Sequence, residues 1–333
     1  MAEDLSRPAP IERGRYVSMA TVRSDVMLEV ARRWSASRAW PHRQVAIDLK
    51  AQGAAEWAVR LYASDAWDAV GDVLARRADV AILNPATVIA AAARRHGGDV
   101  GELRAIATIP SYDQLGIAVA ARFGFETVEQ MVAARPALRL SLRGGRPNHS
   151  VHVVLDDALA AAGTSLEEMR AWGVEVGYDE GLAQEPVRTG MMRDGAVDAV
   201  FDEGVYNWCH TAVESGYRFL SFGPQTLARL EAQGYRRSVL GRDLHPELPA
   251  DVLTVDFSGF MLYTRADADD GLVRSFCEAL AESAPGIGWE GGPGLPLERM
   301  VNDAVDAPLP IPLHPAAERV WRERGLLRVQ PGG

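Results

Sequence analysis

Lysine is almost absent from this chain. Lys50 is the only one, and arginine supplies the remainder of its 35 basic residues. A buried cation here is therefore a guanidinium, which grips a carboxylate through two parallel hydrogen bonds. Cysteine is scarce too. Cys209 and Cys277 lie far apart with no C-x-x-C between them, which excludes a disulfide framework and leaves two small buried side chains. No run of about 18 apolar residues occurs, so nothing reads as a membrane span. The opening MAEDLSRPAPIERGRY lacks the apolar core of a secretory signal. As it stands the sequence reads as cytoplasmic, or as extracytoplasmic if a leader has been removed. The glycine fingerprints of dinucleotide and nucleoside triphosphate sites are missing, as are G-x-S-x-G and H-E-x-x-H. A net charge of -10 repels phosphate backbones and argues against a nucleic-acid partner. A local basic pocket for a small anion remains compatible with it.

What is present is an alternation of short apolar strands and amphipathic helices over 333 residues, long enough for two domains. Strands are expected at Tyr16–Ala20, Gln44–Lys50, Ala78–Asn84, Leu103–Ile109, Leu115–Ala121, Leu138–Leu142, Val174–Tyr178, Val197–Phe201 and Phe257–Arg265. Helices are expected from Asp25 to about Ser35, with Val26, Val30, Ala31 and Trp34 inward, and at Trp67–Arg77. Further helices are expected from Ser150, near Pro186–Arg193, over Asp267–Ser283 and over His314–Arg324. Such βαβα order implies parallel strands covered on both faces. Two such units suggest two lobes, with ligands at the carboxyl ends of strands between them.

Four strand ends are polar and feed helix starts. LRGGRPNHSVHVV (Leu142–Val154) turns through two glycines into a helix, with Asn148 or Ser150 as the expected N-cap. Its free N–H groups make a ready anion site, to which Arg143 and Arg146 add charge. His149 sits in the turn and can donate to a ligand carboxylate or act as an acid/base. His152 lies three residues on and shares a helix face with Asp156, which reads as a solvated pair rather than a metal site. Asn84 ends the strand before NPATV. TVRSD places Arg23 and Ser24 after the first strand. Asp202 and Glu203 end the strand VDAVF, ahead of a helix carrying Tyr206, Trp208 and His210. Tyr112, in PSYDQ, lies at the expected crossing between lobes.

The segments RADVAILNPATVIAAA, LRAIATIPSYDQLGIAVAARFGFETVEQM and GMMRDGAVDAVFDEGVYNWC resemble the TAXI family of solute receptors from TRAP transporters. LPADVLTVDFSGFMLYTRAD and IPLHPAAERVWRERG resemble that family's closing segments, so the likeness runs from about Tyr16 to Gly325. It implies an α/β, two-lobed, type II periplasmic-binding-protein-like fold with an interlobe ligand cleft. Residues 1–112 and 259–333 would form lobe one, and 113–258 lobe two. The family's G-x-x-G-S-G-T-like turn is replaced here by RGGRPNHSV. The implied function is capture of a small, carboxylated organic ligand without a cofactor or metal, with a TRAP-type permease as partner. The expected contacts are Arg23, Ser24, Asn84, Tyr112, Arg146, Asn148, His149, Ser150, Glu203 and Tyr206. Chorismate dehydratases and dihydroxyphthalate decarboxylases resemble the same fold. On that alternative the cleft is the active site of a cytoplasmic lyase or decarboxylase. His149 is then the acid/base, oriented by Asp202 or Glu203, and Tyr112, Tyr206 and Trp208 line an aromatic pocket. A soluble sensor domain is a third possibility.

Overall fold

The computed structural model describes residues 26–33, 45–50, 58–63, 67–144 and 149–328. The chain divides into two units, Met1–Arg43 and Gln44–Gly333. In the first, residues 26–33 form a helix, α1. Val26 and Val30, expected to face inward, are exposed, as are Met27 and Leu28. Three consecutive apolar residues point in three directions around a helix, so they do not make a single buried stripe. The strand expected at Tyr16–Ala20, and Trp34, lie outside the described residues.

The second unit is mixed α/β with two five-stranded sheets. Its strands are β1 (Val45–Lys50), β2 (Ala58–Ala63), β3 (Val80–Leu83), β4 (Leu103–Ile109), β5 (Gly116–Ala120) and β6 (Arg139–Arg143). They continue with β7 (Glu175–Asp179), β8 (Ala199–Asp202), β9 (Tyr217–Phe219), β10 (Arg237–Leu240), β11 (Val252–Val255) and β12 (Phe260–Arg265). One sheet has the order β1-β2-β3-β12-β4 and the other β7-β6-β8-β5-β9, with β10 and β11 pairing alone. In each sheet the strand arriving from the other half runs antiparallel to its neighbours: β12 between β3 and β4, and β5 between β8 and β9. This exchange of strands ties the two sheets into the mixed α/β architecture expected from the sequence. The strands with continuous apolar sequence, VAIL and GIAVA, lie in the middle of their sheets and are almost wholly buried, as strands covered on both faces must be. β2 was not apparent in the sequence. Its alternation, AVRLYA, is blunted by an alanine at each end.

Helices cover the sheets. α2 (Ala69–Leu74) and α3 (Ile89–Arg95) flank β3. α4 (Val128–Ala134) starts in a reciprocal cap between Thr127 and Gln130. α5 (Ser150–Ala161), α6 (Leu166–Ala171), α7 (Pro186–Arg193), α8 (Val205–Glu214) and α9 (Pro224–Ala232) serve the second sheet. α10 (Asp270–Ser283), α11 (Leu297–Met300) and α12 (Pro315–Glu323) return to the first. One apolar core runs through both sheets, from Leu83 and Met261 by way of Leu115 and Phe257 to Leu140 and Val154. Trp321 and Cys277 anchor a second core beneath α10 and α12, and Trp208 and Phe219 a third beneath α8.

The chain passes between sheets at residues 110–115 and 256–259. The two crossings are laced together. Leu115 N–H donates to Val255 O (3.1 Å), Phe257 N–H to Asp113 O (2.9 Å) and Gly259 N–H to Ser111 O (3.0 Å). Gly259 has φ +79°, and a Cβ there would lie 2.6 Å from the Thr108 methyl carbon. Only glycine fits that approach.

Asp198, just ahead of β8, clamps three strands. Its carboxylate accepts from the Arg139 backbone N–H (2.8 Å) and guanidinium (2.9 Å), and from Arg122. These bonds hold it down at about 2. A carboxyl depressed in the folded state stabilises above its ordinary range, and that contribution is lost as pH falls toward the folded value. Asp198→Asn is therefore expected to cost roughly 1–2 kcal/mol near neutral pH. The difference from wild type should shrink as the pH of a urea titration approaches about 2.

Candidate functional site

Parallel pairing of β6 with β8 sets their carboxyl ends side by side. β6 ends in Arg143 and β8 in Asp202, both buried. Arg143 Nη2 donates to Asp202 Oδ1 (2.5 Å) and also to Glu203. From α7, Arg188 donates to Asp202 Oδ2. The Glu203 backbone N–H adds a third donor to Asp202, at 2.9 Å. Arg188 is itself fixed by Ser141, whose hydroxyl (3.1 Å) and carbonyl (3.2 Å) accept from it. Burial pushes the Asp202 carboxyl up, while the two guanidinium groups pull it back. Burial likewise opposes the charge on Arg143, but Asp202 and Glu203 outweigh it and raise its affinity for the proton. A buried ion pair of this kind is affordable only when each charge is met by several bonds.

His149 closes the other side. It is 5% exposed and is the N-cap of α5, since its Nδ1 accepts from the Val151 N–H at 3.2 Å. The cap was expected at Asn148 or Ser150. The imidazole takes that role because its acceptor nitrogen reaches the free N–H of the first turn, while Ser150 already belongs to the helix. Arg143 Nη1 lies 2.9 Å from His149 Nε2. The His149 ring is thus held between the Arg143 guanidinium and the first turn of α5. Arg143 Nε is buried and meets no acceptor among the described residues.

The crossing segments join this group from the opposite side. The Asp113 carboxylate accepts from Gln114 N–H (2.6 Å) and Gly204 N–H (2.9 Å). It also shares a hydrogen bond with Glu203. Burial, and then repulsion from Glu203, raise its carboxyl well above the ordinary range. Its backbone exchanges hydrogen bonds with the Ser258 hydroxyl at 3.0 Å. Beyond Ser258, the Gly259 carbonyl accepts from Asn84 Nδ2 (3.2 Å). A continuous path of bonds thus runs from Asn84 through both crossings to Glu203, Arg143 and His149.

Of the four expected turns, those at His149 and Asp202–Glu203 both touch Arg143, and Asn84 is linked to them only through Gly259, Ser258 and Asp113. Arg23, Ser24, Arg146 and Asn148 lie outside the described residues. Other expectations need correction. Asp202 and Glu203 do not orient His149 directly, because the guanidinium of Arg143 stands between them. The aromatic pocket does not form. Trp208 is buried in the core against Phe219 and donates to the Glu203 carbonyl at 3.0 Å. Tyr206 is 72% exposed and turns its ring to His245. Tyr112 pairs with Ser238 near Asp256, Asp243 and Arg236, apart from the Arg143 group. His152 does not pair with Asp156; it hydrogen-bonds the Arg143 backbone and lies beside Tyr178. Arg188 and Asp113 were missed. Nothing local separates Arg188 from a solvated helix arginine, and Asp113 reads as a plain turn residue. A pocket of about 1230 Å³ lined by Arg299, Asp303, Pro310 and Arg322 contains none of the residues nominated from sequence.

A model of the NMT1-like family matches residues 58–325. The chain belongs to the NMT1-like family. No curated protein matches its sequence. Among solved structures, this NMT1-like chain is similar to XAC2383 from Xanthomonas citri bound to chloride ion (12% identity, 79% of this chain and 81% of that one, TM-score 0.39). It is also similar to an ATP phosphoribosyl transferase complex from Thermotoga maritima (12%, 81% and 94%, 0.35). A third is the alkanesulfonate-binding protein from Xanthomonas axonopodis pv. citri bound to MOPS (17%, 66% and 60%, 0.30), of whose length this chain therefore spans well under two thirds. Likenesses this distant carry no residue-by-residue correspondence.

The raised carboxyl of Asp113 sets a pH dependence. A carboxyl raised in the folded state stabilises most below its ordinary range, and the contribution is lost as pH rises through the folded value. The melting temperature of the wild type should therefore fall as pH rises above the ordinary carboxylate range. Asp113→Asn keeps both the acceptor and the donor and should flatten that decline. An unchanged slope would remove the shared proton from the account.

Proposed function

We propose that this protein is a solute-binding receptor which holds a small carboxylated organic molecule where the turns at His149 and Glu203 meet Arg143. It would pass that molecule to a membrane transporter of the kind served by the TAXI receptors its sequence resembles. The observation that carries this reading is the buried Nε–H of Arg143, which meets no acceptor among the described residues. A buried guanidinium N–H of that kind is satisfied by an anionic oxygen. Negative charge on Asp202 and Glu203 keeps the group near neutral and tunes it to one carboxylate rather than a polyanion. Lobes joined by two short laced crossings suit closure around a ligand. The exported side of a membrane is where such a receptor would work.

The test is mass spectrometry of whatever small molecule co-purifies, followed by calorimetry of that compound with wild type and His149→Ala. The variant should bind at least about tenfold more weakly, or about 1.4 kcal/mol, and the bound acid should be recovered unchanged. Conversion of the acid to a product would overturn the receptor reading. Unchanged affinity in the variant would remove His149 from the site.

A further inference from the structure

The second sheet carries another polar cluster, separate from the Arg143 group. Cys209, on the inner face of α8, is fully buried in the core that also contains Trp208, Phe219 and Leu248. The loop between β10 and β11 folds back onto it. That loop is held by His245 N–H donating to Gly241 O (2.9 Å) and Leu248 N–H donating to His245 O (3.0 Å). It delivers His245, which is buried, and Glu247, whose side chain is 18% exposed. One thiol sulfur, one imidazole nitrogen and one carboxylate oxygen then lie within 4.8 Å of one another. His245 Nδ1 is 3.8 Å from Glu247 Oε1, and the Cys209 thiol hydrogen-bonds Glu247. In a tetrahedral site with bonds of about 2.0–2.3 Å, neighbouring ligand atoms stand roughly 3.3–3.8 Å apart. The three groups need only small side-chain rotations to reach that spacing.

We propose that Cys209, His245 and Glu247 bind one divalent cation of the zinc class, with a fourth position open to water on the Glu247 side. The ligand set decides the class. A sulfur and an imidazole nitrogen suit zinc and its neighbours, while calcium and magnesium take oxygen ligands. Apolar residues enclose the sulfur, and the edge of Tyr206 covers His245 at 6.2 Å between ring centres. On binding, the sulfur–metal bond replaces the S–H bond, the proton leaves to solvent, and no oxidation state changes. The ion would tie the loop holding His245 to the helix that begins beside Glu203. It would thereby brace one wall of the Arg143 group from behind.

The experiment uses the full chain without an affinity tag, stripped with chelator and titrated with Co²⁺, then with Zn²⁺ in competition. One equivalent of Co²⁺ should give a sulfur-to-cobalt charge-transfer absorption that Zn²⁺ abolishes. Cys209→Ser should lose that band. Glu247→Gln, at a partly exposed position, should keep the fold by circular dichroism while weakening affinity at least about tenfold. If Cys209→Ser does not fold, Glu247→Gln and His245→Asn decide the matter. No charge-transfer band in wild type, or unchanged affinity in these variants, would overturn the proposal. Neither result depends on the identity of any solute.

Discussion

Asp202 is fully enclosed, and the centre of the molecule is organised around keeping it charged there. A lone carboxylate at that depth would be driven to take up a proton. Two guanidinium groups from different elements oppose this, Arg143 from β6 and Arg188 from α7. Satisfying one charge therefore fixes the relative position of a strand end, a helix and the turn after β8. Glu203 and Gly204 are held in place as a result, and with them the hydrogen bonds that reach across to Asp113 and the crossing segments. The polar group around Arg143 is a by-product of solving the desolvation of one aspartate. That explains why it lies where strands of one sheet end and both crossings pass.

The choice of arginine follows from the same constraint. Arg188 uses all three nitrogens, toward Asp202, the Ser141 hydroxyl and carbonyl, and the Gly181 carbonyl. An ammonium group cannot distribute its bonds over such a planar fork. Arg143 spends one amino group on Asp202 and Glu203 and leaves Nε over. Arg188 is fully satisfied, whereas Arg143 Nε meets no acceptor among the described residues.

Much of the architecture could be read from the chain because buried strands advertise themselves. VAIL and GIAVA are apolar runs bounded by turn residues, and β4 occupies Leu103–Ile109 as expected. The polar strand ends at Asn84, His149 and Glu203 were legible for the same reason. What they touch was not. Whether Trp208 points to a cleft or the core depends on the phase of α8 against the sheet, which a short helix does not encode locally. Arg188 and Asp113 acquire their roles from residues dozens of positions away, through the ordering of strands. The pairing of His152 with Asp156 looked sound on helical spacing. It gave way because burial beside the end of β6 offered the imidazole a carbonyl instead.

The scarcity of lysine has a practical side once β1 is placed. Lys50 lies on the exposed outermost strand of the first sheet, next to β2 only, and it carries the only side-chain primary amine in the sequence. Amine-selective acylation therefore offers a nearly single-site attachment point for a fluorophore or a surface tether. The guanidinium groups that build the interior are inert to that reagent, so the protein can be immobilised or labelled from one edge in a known orientation.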